Sequence, residues 1–176
     1  MPKVIENLKE QLLNEAKKQI FERGYSQTTI RSIAGACGVG VGTVYNYFKS
    51  KEMLVAAFVY EEWKNYLHEM SLLSYDEPKP FFAGIFRLLK GFASHNEKLF
   101  FDPEVSKLVS AGFSARHKLL RGQIAAFILP LCKAKNLENP SFCAEFLAES
   151  IICWAMEDVD FEAVYPLLEK VITAKQ

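Results

Sequence analysis

The chain is poor in the features that mark membrane, secreted, metal-binding and nucleotide-binding proteins. No apolar run approaches the roughly 20 residues that span a bilayer, and the opening segment MPKVIENLKEQLLNEAKK is charged and helical, without a signal-peptide apolar block. A cytoplasmic protein without a membrane partner is therefore expected. The four cysteines, Cys37, Cys132, Cys143 and Cys153, form no C-x-x-C pair, and no histidine stands at finger spacing from them. No metal site is expected, and buried thiols are the ordinary role for such residues. Gly38, Gly40 and Gly42 follow no strand and complete neither GxGxxG nor GxxxxGK[ST], which excludes a nucleotide loop of those types. No Ser/His/Asp set or paired-carboxylate arrangement announces itself, so no catalytic residue and no cofactor is nominated. Alternating strand patterns, internal repeats and low-complexity tracts are missing as well.

What is present is an apolar, helix-forming chain of 176 residues, half of them hydrophobic and with a formal net charge of zero. That is enough to bury a core in one large or two small domains. The charge is uneven. Residues 1–60 carry eight Lys/Arg against five acids, a balance of +3 that leaves −3 for the remainder. A mildly basic N-terminal part suits contact with phosphates.

Helical periodicity runs throughout. A first helix over about 4–23 sets Ile5, Leu8, Leu12, Ala16 and Ile20 on one face, and Gly24 ends it. Thr28 or Thr29 can cap a short helix with Ile30, Ile33, Ala34 and Cys37 inside, and Gly38 can take the positive φ of a turn. A second short helix over about 41–48 is anchored by Val44 and Phe48 and directs Gly42, Thr43, Asn46 and Tyr47 outward, with Tyr45 at the border. Ser50 caps a long helix of about 51–72. The Pro-containing segment Asp76–Pro80 breaks the chain, and further helices are expected at about 80–94, 97–111, 114–135, 141–157 and 161–174. Gly112, Asn136, Asn139-Pro140 and Asp158–Asp160 punctuate them, and Pro130 and Pro166 should kink their helices or move a boundary.

Two short helices joined by a glycine turn, the second almost uncharged on its outer side, form the layout of a helix-turn-helix that offers its second helix to the DNA major groove. Thr28 and Thr29 supply hydroxyls at a helix start. Thr43, Tyr45 and Tyr47 supply further hydroxyls, Gly42 allows close backbone approach, Lys51 supplies charge, and Arg31 can make a bidentate guanine contact.

These residues carry a family resemblance. T-T-I-R-x-I-A, then G-V-x-x-G-T-V-Y-x-Y-F, then K-S-K-E resembles the DNA-binding domain of tetracycline-repressor (TetR) family regulators, densely over about residues 10–60. The resemblance implies an all-α protein of about nine helices. Residues 1–50 would form a three-helix helix-turn-helix domain, and 51–176 a helical effector-binding and dimerisation domain. It implies a homodimeric repressor on a palindromic double-stranded operator, released by a small molecule that enters the C-terminal domain. By position, phosphate contacts fall to Thr29, Thr43, Tyr45, Tyr47 and Lys51, and base contacts near Arg31, Val41, Gly42 and Asn46. Gly40 stands where a capping serine is common. Val41 stands where a polar residue often reads a base; it can touch a thymine methyl or fold into the core beside Val44 and Phe48.

The C-terminal part is rich in Phe. Most of these belong to the core, but a pocket among Phe82, Phe86, Leu89, Phe100, Phe113 and Phe127 would suit an apolar or aromatic effector. For the dimer, an apolar face over about 141–174 is expected to use Phe146, Ile151, Trp154, Val164, Tyr165, Leu168, Val171 and Ile172. Two other function classes stay open: a thiol-based redox regulator on the same fold, and a helical enzyme or ligand carrier that does not use its helix-turn-helix.

Overall fold

The computed structural model describes residues 7–105, 113–157 and 159–173. Among them the secondary structure is entirely helical: α1 (Leu8–Arg23), α2 (Ile30–Ala36), α3 (Val41–Tyr47), α4 (Lys51–Ser71), α5 (Pro78–His95), α6 (Glu97–Phe100), α7 (Phe113–Ala134), α8 (Pro140–Met156) and α9 (Phe161–Thr173). Two compact units divide the chain. One spans Met1–Lys64 and Asn96–Ala111, the other Asn65–His95 and Gly112–Gln176, as far as their residues are described.

In the first unit the apolar stripe of α1 is buried at Leu8, Leu12, Ala16 and Ile20. Gly24, at φ 90°, closes the helix and donates its N–H to Ile20 O at 2.8 Å. The start of α2 is a capping box built on Thr29 and Ser32. Its end is a Schellman-type turn: Val39 N–H reaches back to Ala34 O at 2.9 Å, with Gly38 at φ 66° between them. Gly40 precedes α3 without a side-chain cap, and Val44 and Phe48 bury the inner side of that helix. The Ser50 hydroxyl accepts from Met53 N–H at 3.3 Å and so caps α4 as expected. Leu54, Val55 and Phe58 of α4, with Leu99 and Val105, complete this core.

In the second unit α7 and α8 pack most extensively on one another, and α5 and α9 pack against α8. The core holds Phe82, Ile85 and Leu89 of α5, Ile124, Ile128 and Leu131 of α7, Leu147 and Ile151 of α8, and Leu168 and Ile172 of α9. Pro130 and Pro166 lie inside α7 and α9, so neither proline moves a helix boundary.

The stretch expected as one helix over 97–111 is divided. α6 ends at Phe100, and helical backbone resumes at 103–105. Pro103 accounts for the break, because it cannot continue a preceding helix without removing a backbone donor. Ile5, Gly112, Asp158, residue 174 and the side chain of Phe113 lie outside the described residues.

Candidate nucleic-acid interface

The recognition surface is assembled from short elements whose inner side chains fix what the outer ones present. In α3, Val44 is fully buried, while Tyr45 and Tyr47 remain 44% and 47% exposed. Neither ring is a core aromatic, and both hydroxyl-bearing side chains face solvent. Gly42 and Asn46 are exposed beside them, Thr43 is half-buried, and Arg31 projects from the first turn of α2 into solvent. An open recess of about 530 Å³ brings together Ser26, Thr29, Arg31, Val41, Tyr45 and Lys51. With Thr28 in its wall as well, six of the residues nominated from sequence share one concavity. Ser26 was not nominated, and nothing in its local pattern marks it.

Three nominated polar residues also make internal bonds. The Thr29 hydroxyl accepts from Ser32 N–H at 3.0 Å and keeps its own proton for an outside acceptor. Lys51 Nζ donates to Tyr25 O at 3.0 Å and sits 3.7 Å from the centroid of the Tyr25 ring. Two of its three N–H donors remain for other partners. Thr28 is different. It is completely buried, and its hydroxyl donates to Gly24 O at 2.9 Å. Its expected contact with DNA is therefore corrected: the residue is part of the turn between α1 and α2. Val41 is half-buried, packs against the core and also lines the recess.

Behind this surface lies a polar network that the sequence reading missed. Ser32 was detectable as the fourth residue of a Thr-x-x-Ser cap. Gln19 was not, since a single glutamine on a helix gives no local sign of burial. Tyr25 is also held tightly, with its hydroxyl donating to Glu52 Oε1 at 3.1 Å. Burial, followed by the charge of Glu52, raises the Tyr25 phenol well above its ordinary value. Glu52 itself is lowered, chiefly through its hydrogen bond with Ser50.

The comparisons with known proteins bear on this same segment. Residues 12–58 match the model of the bacterial regulatory proteins of the tetR family. Over those residues the chain is of the TetR type. The chain is similar to the fatty acid metabolism regulator protein of Bacillus subtilis (strain 168), with 35% identity over 60 residues, 34% of this chain and 31% of that protein. It is also similar to the HTH-type transcriptional repressor KstR2 of Mycolicibacterium smegmatis, with 40% identity over 47 residues, 27% of this chain and 23% of that protein. The aligned part thus spans under a third of either relative. The fold resemblance extends further. The fatty acid degradation regulator FadR of Bacillus halodurans superposes with a TM-score of 0.58 at 18% identity, covering 97% of each chain. FadR of Bacillus subtilis in complex with stearoyl-CoA gives 0.51 at 18% identity, covering 95% of this chain and 99% of that one.

The two groups nominated outside the TetR-type domain are placed as follows. Phe82, Phe86 and Leu89 are buried on α5, and Phe127 is half-buried on α7, all in the second unit. Phe100 belongs to the first unit. Of the nominated dimer face, Ile151, Val164, Tyr165, Leu168 and Ile172 are buried within their own protomer and are corrected to core residues. Trp154 and Val171 are half-buried. Phe146 is 51% exposed, and Phe142 beside it 73%. Among the described residues no group of three or more His, Cys, Asp or Glu is arranged to hold a metal, and no helix is long and apolar enough to cross a membrane.

Proposed function

We propose that this chain is a cytoplasmic, homodimeric transcriptional repressor that grips a palindromic operator and releases it when a small apolar effector binds. The observation that carries the reading is the surface of the TetR-type domain: Arg31, Thr29, Val41, Tyr45 and Lys51 around one open recess, with Asn46 and Tyr47 exposed on the same short helix. Arg31, Val41, Gly42 and Asn46 are assigned to bases, and Thr29, Thr43, Tyr45, Tyr47 and Lys51 to phosphates. No catalysis is assigned to the chain.

Residues 51–176 are proposed to hold the effector and the dimer contacts. The dense apolar packing of α5, α7, α8 and α9 favours an apolar ligand over a highly charged one. Phe82, Phe86, Leu89 and Phe127 remain the proposed lining. The stearoyl-CoA bound to the Bacillus subtilis protein puts acyl thioesters first among ligands to test. For the dimer, the exposed apolar residues Phe142, Phe146 and Met156 of α8 and Leu167 of α9 replace the buried ones. Two heads one DNA turn apart would then read a palindrome. Release follows if the effector favours a dimer whose heads no longer match that spacing.

The thiol-sensing alternative is less well supported. Burial pushes the Cys132 thiol up to about 11 and raises those of Cys37 and Cys153, the latter with help from Glu149. A raised thiol is a poor nucleophile towards oxidants.

Selection of duplexes from genomic DNA, followed by binding in rising salt and then in the presence of acyl-CoA thioesters and free apolar ligands, tests the proposal. Recovery of a palindrome whose complex dissociates with one of these ligands is expected. Failure to enrich any duplex would overturn the DNA-binding reading. Release by oxidant alone, abolished in Cys→Ser variants, would overturn the effector reading.

A further inference from the structure

Gln19 is 1% exposed although its side chain is polar. It sits on α1, facing the first turn of α2. Its amide nitrogen donates to Glu15 Oε1 at 2.7 Å and to Ser32 O at 3.3 Å, and its carbonyl oxygen accepts the Ser32 hydroxyl at 2.6 Å. Both partners of the nitrogen are acceptors only, so the orientation of the amide is forced. Ser32 in turn donates its backbone N–H to Thr29 Oγ1 at 3.0 Å and receives Thr29 N–H on its own hydroxyl at 3.1 Å. A continuous chain of bonds therefore runs from Glu15 through Gln19 and Ser32 to Thr29, at the edge of the proposed DNA surface.

We propose that Gln19 is a positioning residue for operator reading, a role that rests on the DNA-binding function above. Beside this network the two helices share an apolar cluster that includes Leu12, Ala16, Ile20, Ile30 and Ile33, and one long contact from the Cys37 thiol to Gln11 O at 3.8 Å. Apolar contacts are non-directional and leave α2 free to rock by small angles. A buried, fully bonded amide has one satisfactory geometry and selects one setting of α2 on α1. That setting fixes where Thr29 and Arg31 stand relative to α3. The amide therefore contributes to specificity while contributing little to stability, since apolar replacement of a buried polar group is often neutral or stabilising.

The test measures binding of the full chain to a genomically selected duplex and to a random duplex, beside thermal melting. Gln19→Leu fills the same space without the bonds. Ser32→Ala removes the hydroxyl from a helical position where alanine is favoured, and Ser32→Thr restores it. Gln19→Leu and Ser32→Ala should each lose about tenfold in affinity for the selected duplex, the equivalent of about one such hydrogen bond. Affinity for the random duplex should stay within about twofold, because phosphate charge dominates it. Melting should hold in Gln19→Leu and fall modestly in Ser32→Ala, which also opens the Thr29 capping box and leaves the buried Gln19 carbonyl without its donor, and Ser32→Thr should bind as the parent does. Unchanged affinity for the selected duplex in both variants would overturn the proposal. So would equal losses on both duplexes together with lower melting, because that pattern marks a purely structural role. If the parent chain discriminates between no duplexes at all, the DNA-binding function itself fails and Gln19 has nothing to position.

Discussion

Replacing Lys51 with Met separates two roles that the structure gives one side chain. The ammonium donates to Tyr25 O at 3.0 Å and lies 3.7 Å from the centre of a Tyr25 ring that is 2% exposed. Methionine keeps most of the apolar stem but removes the charge and its donors. A hydrogen bond from a charged group contributes about 1.5–3 kcal/mol, and partial exposure of Lys51 reduces that to roughly 1 kcal/mol. The contact with the ring adds about 0.5–1 kcal/mol at an exposed site. Urea unfolding of Lys51→Met should therefore show a loss of about 1–2 kcal/mol. DNA binding makes the second measurement. If a remaining N–H donor meets a phosphate, the slope of log affinity against log salt falls by about 0.9 for each copy of Lys51 engaged. A stability loss with an unchanged salt slope would show that Lys51 only fastens the start of α4 to the Tyr25 turn. An unchanged stability would refute the energetic reasoning itself.

Three further outcomes are expected. Gly38→Ala should cost roughly 1–2 kcal/mol in chemical unfolding, because φ 66° is unfavourable for an L side chain and no atom within 4 Å would meet the added Cβ, so the cost is conformational strain alone. The double variant Phe142→Glu and Phe146→Glu should be monomeric by light scattering and remain folded by circular dichroism, since those residues are 73% and 51% exposed; a persisting dimer would move the interface elsewhere. Stability should decline above pH about 10, the ordinary tyrosine value, because Tyr25 stays protonated in the folded chain while the unfolded chain loses that proton. Tyr25→Phe should flatten this decline, and an unchanged alkaline slope would remove Tyr25 from the cause.

The legibility of the helix-turn-helix in the sequence has a physical basis. Its boundaries are set by local chemistry: a hydroxyl at Thr29, a residue able to take positive φ at Gly38, and an apolar pair at Val44 and Phe48 one turn apart. Such rules act over a few residues and can be read one residue at a time. Gln19 and Ser32 are 13 residues apart on different helices, and no local pattern pairs them. The dimer face was misjudged for a related reason. The spacing of Val164, Tyr165, Leu168 and Ile172 marks the most strongly apolar side of α9, and each protomer buries that side in its own core. The apolar residues left exposed for the proposed dimer are others, such as Phe142, Phe146 and Leu167. The phenylalanine set falls in both compact units, because composition carries no information on which unit a residue joins.

The internal bonds at the recognition surface also sort the nominated residues by role. Thr28 has donated its one proton to Gly24 O inside the turn. Thr29 and Lys51 are used twice: each holds the fold together and retains a donor for a phosphate. Under the proposed assignment these donors are held in place before a phosphate arrives, and little side-chain freedom would be lost on contact. Arg31 and Asn46, by contrast, extend from the surface and must be ordered on binding. Affinity for any duplex should therefore come from residues the fold already holds, and discrimination between duplexes from residues it does not. Val41, the first residue of α3, stands half in the core and half in the recess, so shortening it removes core packing and, on the proposed assignment, contact with a base edge together. Val41→Ala should for that reason weaken binding to the selected duplex more than to a random one, and equal weakening of both would leave Val41 a core residue only.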